Sequence, residues 1–350
     1  MPQCAHVQRY AARMPLLLIA AAAMVQPLPM YAQSLNWYDV SYQGSAPSAR
    51  EDMAMAYDPV IHATLMFGGC CNPTEMYGET WIFGEGLGDG WHQLSPSSSP
   101  SPRMGSAITY DGAAGNIVLF GGCSGSVTTC TFLNDTWTWD GITWRQQFPP
   151  VSPSPRATSM AYDAATGTSV LFGGTGSGGS LADTWTWDGV AKTWTKQAPG
   201  GSPSARQAPL AYDAARQTVL LFGGSNWQVE VPGSGGTAYD DTWTWDGTTW
   251  TKQFPSASPS ARSYFSMAYD AVLQHVVLFG GAVGGDWTHS ADDTWIWNGF
   301  NWAQFDPATT PFNRYNYGMD YDSEQKVIVM FGGDSTGPSL NDTWRLALVR

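Results

Sequence analysis

Sixteen Lys and Arg stand against 29 Asp and Glu in 350 residues, a formal net charge of −13. So acidic a surface disfavours nucleic acid and anionic membrane as partners. Asp outnumbers Glu heavily, as a turn-rich β protein needs.

From the N-terminus, residues 1–33 read as a secretory signal peptide. Arg9 and Arg13 form a basic start, Leu16–Val25 is an apolar run too short to span a bilayer, and cleavage is expected near Ala32. Its removal leaves 14 basic and 29 acidic residues, a net charge of −15. A secreted or periplasmic location follows, with no later segment able to insert in a membrane.

Residues 34–350 are expected to form one domain, because one pattern recurs throughout. A Gly-Gly doublet begins at Gly68, Gly121, Gly173, Gly223, Gly280 and Gly332, in steps of 53, 52, 50, 57 and 52 residues. A period of this length points to a propeller or a solenoid. In the fourth repeat, Leu210–Asp213 predicts a short strand ending in an Asp turn, and Val219–Phe222 a strand buried on both faces. Thr242–Trp245 alternates with period two, Asp246-Gly247 signals a hairpin, and Trp250–Phe254 predicts a fourth strand. Each repeat is thus a four-stranded antiparallel meander, and six of them can bury their faces by closing into a ring.

The ends of the chain fit that closure. Leu35–Ser41 looks like a lone fourth strand, and the chain runs out after Asp342-Thr343-Trp344, a third strand with no fourth. The N-terminal strand should therefore complete the last blade, leaving no free sheet edge. A monomer is expected.

The pattern resembles the Kelch repeat family. The residues that carry it are the apolar run before each Gly-Gly and the paired aromatics Trp139 and Trp144, Trp187 and Trp194, Trp245 and Trp250, Trp297 and Trp302. The resemblance covers about residues 35–350. It implies an all-β, six-bladed propeller, but no single function, since Kelch propellers serve as binding modules, structural proteins and enzymes. Copper oxidases built on this repeat hold their metal with Tyr, His and a Tyr–Cys cross-link. Here only His62, His92, His275 and His289 remain after the leader, and no Tyr-His pair exists, so that chemistry does not carry over. No cofactor and no metal site are expected.

Four cysteines follow the leader: Cys70, Cys71, Cys123 and Cys130. In an exported chain they are disulfide candidates. Cys123–Cys130 would staple a loop, Cys70–Cys71 would be a vicinal bridge, and a cross-blade Cys70–Cys123 bond is a third pairing.

The strand directions gather the long loops between second and third strands on one face, with the connectors between blades. That face carries Arg50, Arg103, Arg156, Arg206, Arg262 and Arg314, one before each first strand, and Glu79, Asp135, Asp183, Asp241, Asp293 and Asp342, one before each third strand. Two readings are open. The arginines tie the blades through carboxylates or carbonyls, or they make an electropositive channel mouth for an anionic ligand group.

Departures from the repeat narrow the search. After the arginines come Glu51-Asp52, Met104-Gly105, Ala157-Thr158, Gln207-Ala208, Ser263-Tyr264 and Tyr315-Asn316. Blades one, five and six, contiguous in a closed ring, thus add unusual side chains. The expected contacts are Arg50, Glu51, Asp52, Arg103, Arg262, Tyr264, Arg314 and Tyr315, with Trp227, Trp287 and His289 from the loops. Aromatics beside carboxylates suit a glycan or protein ligand. The alternative is a metal-free carbohydrate-active enzyme of the epimerase or mutarotase type, with Glu51, Asp52 and the ring arginines providing the acid–base and carboxylate contacts.

Overall fold

The computed structural model of the chain describes residues 35–41, 45–70, 75–84, 90–126, 129–226, 236–284, 288–335 and 337–349. The expected leader, Cys71, Trp227 and Trp287 lie outside them. Every regular element among the described residues is a strand, and no helix is long and apolar enough to cross a membrane.

The strands form six antiparallel sheets of the same design. Blade one is built from Ala54–Asp58, Ala63–Phe67, Thr80–Phe83 and Trp91–Leu94. Blade two uses Ala107–Asp111, Asn116–Phe120, Thr136–Trp139 and Trp144–Gln147. Blade three uses Ala157–Asp163, Thr168–Gly176, Gly179–Asp188 and Thr193–Gln197. Blade four uses Leu210–Asp213, Thr218–Phe222, Thr242–Trp245 and Trp250–Gln253. Blade five uses Ser266–Asp270, His275–Val283, Ser290–Trp297 and Trp302–Phe305. Blade six joins Gly318–Asp322, Val327–Phe331 and Thr343–Leu348 to the N-terminal strand Leu35–Asp39, which pairs in the register Leu35 to Leu348 and Asp39 to Trp344.

Six apolar clusters, one between each pair of neighbouring blades, bury the sheet faces. One of them joins Met66, Trp81 and Trp91 of blade one to Val327, Val329 and Phe331 of blade six. The fold is a six-bladed propeller whose first strands line a central channel.

Each residue of the repeat has a physical task. The Gly-Gly doublet turns the chain sharply away from the second strand, where the next blade comes very close. Gly68 sits at φ +72°, and a Cβ there would lie 2.4 Å from the Arg103 carbonyl oxygen of blade two. The following glycine donates its N–H to that same carbonyl. All six doublets do this at 2.8–3.0 Å, ending with Gly333 donating to Arg50.

The Asp-Thr-Trp motif is three contacts in three residues. The carboxylate receives the ring arginine of its own blade. The Trp returns its indole N–H to that carboxylate at 2.6–2.9 Å, with Glu79 taking the Asp place in blade one. The Thr hydroxyl accepts the indole N–H of the next blade's fourth-strand Trp. The donors are Trp37, Trp91, Trp144, Trp194, Trp250 and Trp302, all at 2.9–3.2 Å. Trp37 donates to Thr294 of blade five, so the N-terminal strand carries its share of the latch.

Cys123 and Cys130 are disulfide-bonded across a hairpin in the blade-two loop, Cα atoms 5.5 Å apart. That excludes the cross-blade Cys70–Cys123 pairing. Cys70 is itself disulfide-bonded.

Candidate binding site at the channel mouth

The ring arginines face into their blades. Their side chains are 0–2 % exposed. Arg103 shows where the donors go: Nε to Ser101 O, Nη1 to Gly121 O and Asp135, Nη2 to Ser101 Oγ and Asp135. All five N–H groups of a guanidinium are thereby used inside the protein. Arg262 repeats the set with Ser260, Gly280 and Asp293. Arg50 bonds Ser48, Gly68 and Glu79, and Arg314 bonds Phe312, Gly332 and Asp342. Loop aromatics cover two of the arginines: Tyr77 stacks on Arg50 at 4.1 Å and Tyr239 on Arg206 at 3.6 Å. Of the two readings left open for the ring, these contacts are those of the first, arginines that tie the blades through carboxylates and carbonyls.

What opens to the channel is the second residue after each arginine. A cavity of about 140 Å³ is lined there by Asp52, Gly105, Thr158, Ala208, Tyr264 and Asn316, one per blade, with Ser106, Ser159 and Gln207 beside them. Asp52, Tyr264 and Asn316 hold φ values of 54°, 59° and 54°, and Gly105 64°. In this left-handed conformation the backbone of one blade reaches the next. Asn316 N–H donates to Tyr264 O, Asp52 to Asn316 O, Gly105 to Asp52 O and Thr158 to Gly105 O, at 2.7–3.3 Å. Blades five, six, one, two and three are thus stitched into a continuous lip. Left-handed non-glycine residues are strained and concentrate where the surrounding structure holds a site in shape.

A carboxyl cluster stands behind that lip. Asn316 Nδ2 donates to Glu51 at 3.1 Å, and Tyr315 O–H donates to Asp334 at 2.9 Å. Burial, aided by the Asp334 charge and opposed by the Asn316 hydrogen bond, lifts Glu51 to about 7. Asp52, enclosed by protein yet reachable from the channel, is pushed well above the carboxylate range by burial, then by Glu51 and Asp334. Burial, then the Asp52 charge, raises the Tyr264 phenol to about 12, so it remains a hydrogen-bond donor.

The structure thus brings Glu51, Asp52, Tyr264 and Tyr315 together and leaves Arg50, Arg103, Arg262 and Arg314 out. Asp52 and Tyr264 line the cavity; Tyr315 is buried and holds Asp334 in place. His289 is exposed, its ring 3.0 Å from Thr288 Oγ1, and does not line the cavity. Asp334 escaped the sequence reading. Its signal was present in the residue after each doublet, which is Cys70, Cys123, Thr175, Ser225, Ala282 and then, alone in its charge, Asp334.

No group of three or more metal-ligating His, Cys, Asp or Glu side chains occurs among the described residues. No curated protein matches the chain. The solved structure of YjhT is similar to it, with a TM-score of 0.63 at 13% identity over 85% of this chain and 95% of that one, a likeness of fold. The family model of the KLHDC2/KLHL20/DRC7 Kelch-repeats domain matches residues 60–281, from the first blade into the fifth and well over half of the sequence. The chain belongs to the Kelch-repeat family.

Proposed function

We propose that this protein is an exported binding propeller that holds the end of a glycan at the channel mouth. Kelch propellers are commonly protein-interaction modules, and the mouth narrows the class. Its lining offers an enclosed carboxyl from Asp52, the phenols of Tyr264 and Tyr317, the amides of Asn316 and Gln207, and the hydroxyls of Ser106, Thr158, Ser159 and Ser266, with no cation among them. That inventory suits sugar hydroxyls, which both donate and accept. The observation that carries the reading is the row of left-handed residues Tyr264, Asn316 and Asp52 on three contiguous blades. Export rests on the signal-like leader, with the Cys123–Cys130 disulfide in support.

Glycan-array binding by the mature protein tests the reading. A neutral carboxyl both donates and accepts, each bond contributing about 0.5–1.5 kcal/mol, so Asp52→Ala should weaken the bound glycan roughly 5–150-fold. Tyr264→Phe should weaken it less. A mature protein that binds no glycan, or variants that bind as well as the wild type, would overturn it.

One observation favours a second, enzymatic reading. Glu51 near 7, with Asp52 raised beside it, has the poise of an acid–base pair. The binding reading stands first because Glu51 lies outside the cavity lining. Proton NMR of sugar anomers decides between them. Exchange accelerated by the wild type and abolished in Glu51→Gln establishes an enzyme; exchange at the buffer rate excludes one for the sugars tried.

A further inference from the structure

The channel continues from the mouth toward the opposite face. Halfway down, Met55, Ile108, Met160, Leu210, Met267 and Met319, one from each blade, form an apolar collar shared by the middle and far cavities. The far chamber, of about 190 Å³, takes its walls from Thr109, Tyr162, Tyr212, Tyr269 and Asp320 beyond that collar.

Asp320 departs from the repeat. The five equivalent positions are Ala56, Thr109, Ala161, Ala211 and Ala268. Its Oδ2 accepts the Tyr57 N–H of blade one and its Oδ1 the Tyr321 N–H, both at 2.8 Å. The fold does not need a charge for that cross-blade contact. Thr109 makes the same one, its hydroxyl accepting the Tyr162 N–H at 3.2 Å, and four blades manage with Ala. Each carboxylate oxygen keeps accepting capacity beyond its one backbone bond.

No ion pair to Asp320 occurs among the described residues, and no Lys or Arg lines the chamber. Glu79, Asp135, Asp183, Asp241, Asp293 and Asp342, which open the third strands, are by contrast each clamped by an arginine. The walls are rigid as well as aromatic. Tyr162, Tyr212 and Tyr269 each reach the backbone of the preceding blade's turn, at Ala113, Ala165 and Ala215. An uncompensated carboxylate in a cup of fixed aromatic rings is the chemistry that recognises an organic cation.

We infer that the far chamber is a second binding site, taking a small organic ammonium ion with its charge on Asp320 and its alkyl groups against the tyrosines and methionines. The site is separate from the mouth and stands whether or not the mouth binds glycan.

Calorimetric titration of the mature protein with n-butylammonium chloride tests it, with 1-butanol as the uncharged counterpart. Two variants are compared with the wild type. Asp320→Asn keeps an acceptor for the backbone amides, and Asp320→Thr copies blade two, so one remains informative if the other fails to fold. The expected result is saturable binding of butylammonium by the wild type, weakened about tenfold or more in both variants, with 1-butanol bound far more weakly. Three results would overturn the inference: no binding by the wild type at millimolar probe, equal binding by the folded variants, or 1-butanol bound as tightly as butylammonium.

Discussion

Replacing Arg262 with Met should unfold the protein more readily and leave ligand binding untouched. The guanidinium is 2 % exposed and donates to Ser260, Gly280 and Asp293. Met fills much of the volume but none of the bonds. Asp293 is left with the Trp295 indole as its donor while its side chain is only 20 % exposed. Breaking a buried pair costs about 3–5 kcal/mol, and the partial exposure of Asp293 places this case near 3. Against a total stability of about 5–15 kcal/mol, the variant remains folded at room temperature and melts roughly 5–10 °C lower. Urea unfolding followed by Trp fluorescence gives the loss directly. Arg156→Met in blade three is the comparator. Its clamp has the same partners, Ser154, Gly173 and Asp183, but its neighbours are Ala157 and Thr158 rather than Ser263 and Tyr264. The two variants should lose similar stability, and the folded fraction of each should bind ligand as the wild type does. An Arg262→Met protein that unfolds like the wild type yet loses its ligand would refute the structural assignment of the ring.

Thr136→Val should leave the buried Trp194 indole N–H without its acceptor and cost about 1–3 kcal/mol, whereas Thr195→Val on an exposed strand face should stay within about 0.5; equal midpoints would dismiss the indole latch. Deleting residues 34–42 should expose the edge of Thr343–Leu348 and remove Trp37, and a truncated chain that melts like the mature protein would contradict closure by the N-terminal strand. Stability should peak in mild acid. Glu51, raised to about 7 from 4.5, and Asp320, raised to about 6 from 3.8, favour the fold when protonated, so their contribution fades as pH rises through those folded values. The clamp works in the opposite sense: burial alone would raise Asp135, Asp183, Asp241, Asp293 and Asp342, but their arginines hold them below 3.8, so that stability is present above this range and is lost as pH falls through it. Differential scanning fluorimetry from pH 3 to 8 reads both limbs, and Glu51→Gln should flatten the upper one; a profile unchanged by that variant would exclude Glu51 as its source.

The repeat made the fold legible because each of its residues serves the same contact six times. A Gly-Gly doublet, an Asp-Thr-Trp and a lone Trp recur at fixed intervals because the second Gly meets the next blade's Arg carbonyl and the Thr meets the next blade's indole. Strand count, strand order and the use of Leu35–Asp39 in the last sheet all follow from that spacing. The direction of the arginines did not. A sequence shows that Arg103 and Asp135 recur with the blade, but not that Ser101 and Gly121 absorb the remaining donors and turn the side chain away from the channel. Nor does it show that Tyr315, although next to a ring arginine, is buried against Asp334.

Repetition and departure from it carry different information in a ring of equal blades. A residue present six times answers a need that every blade has, and here each such need is structural: the clamp, the close approach and the indole latch. A residue present once cannot be required by the blade. Asp52, Tyr264, Asn316 and Asp334 break the repeat on contiguous blades at one end of the channel, and Asp320 breaks it at the other. Each introduces a carboxyl, phenol or amide where another blade is stable with Gly, Ala or Thr. Burying such groups costs free energy that the scaffold does not recover from them. Their shared placement along the channel, and not over the outer strands, is the ground on which both proposed channel sites stand.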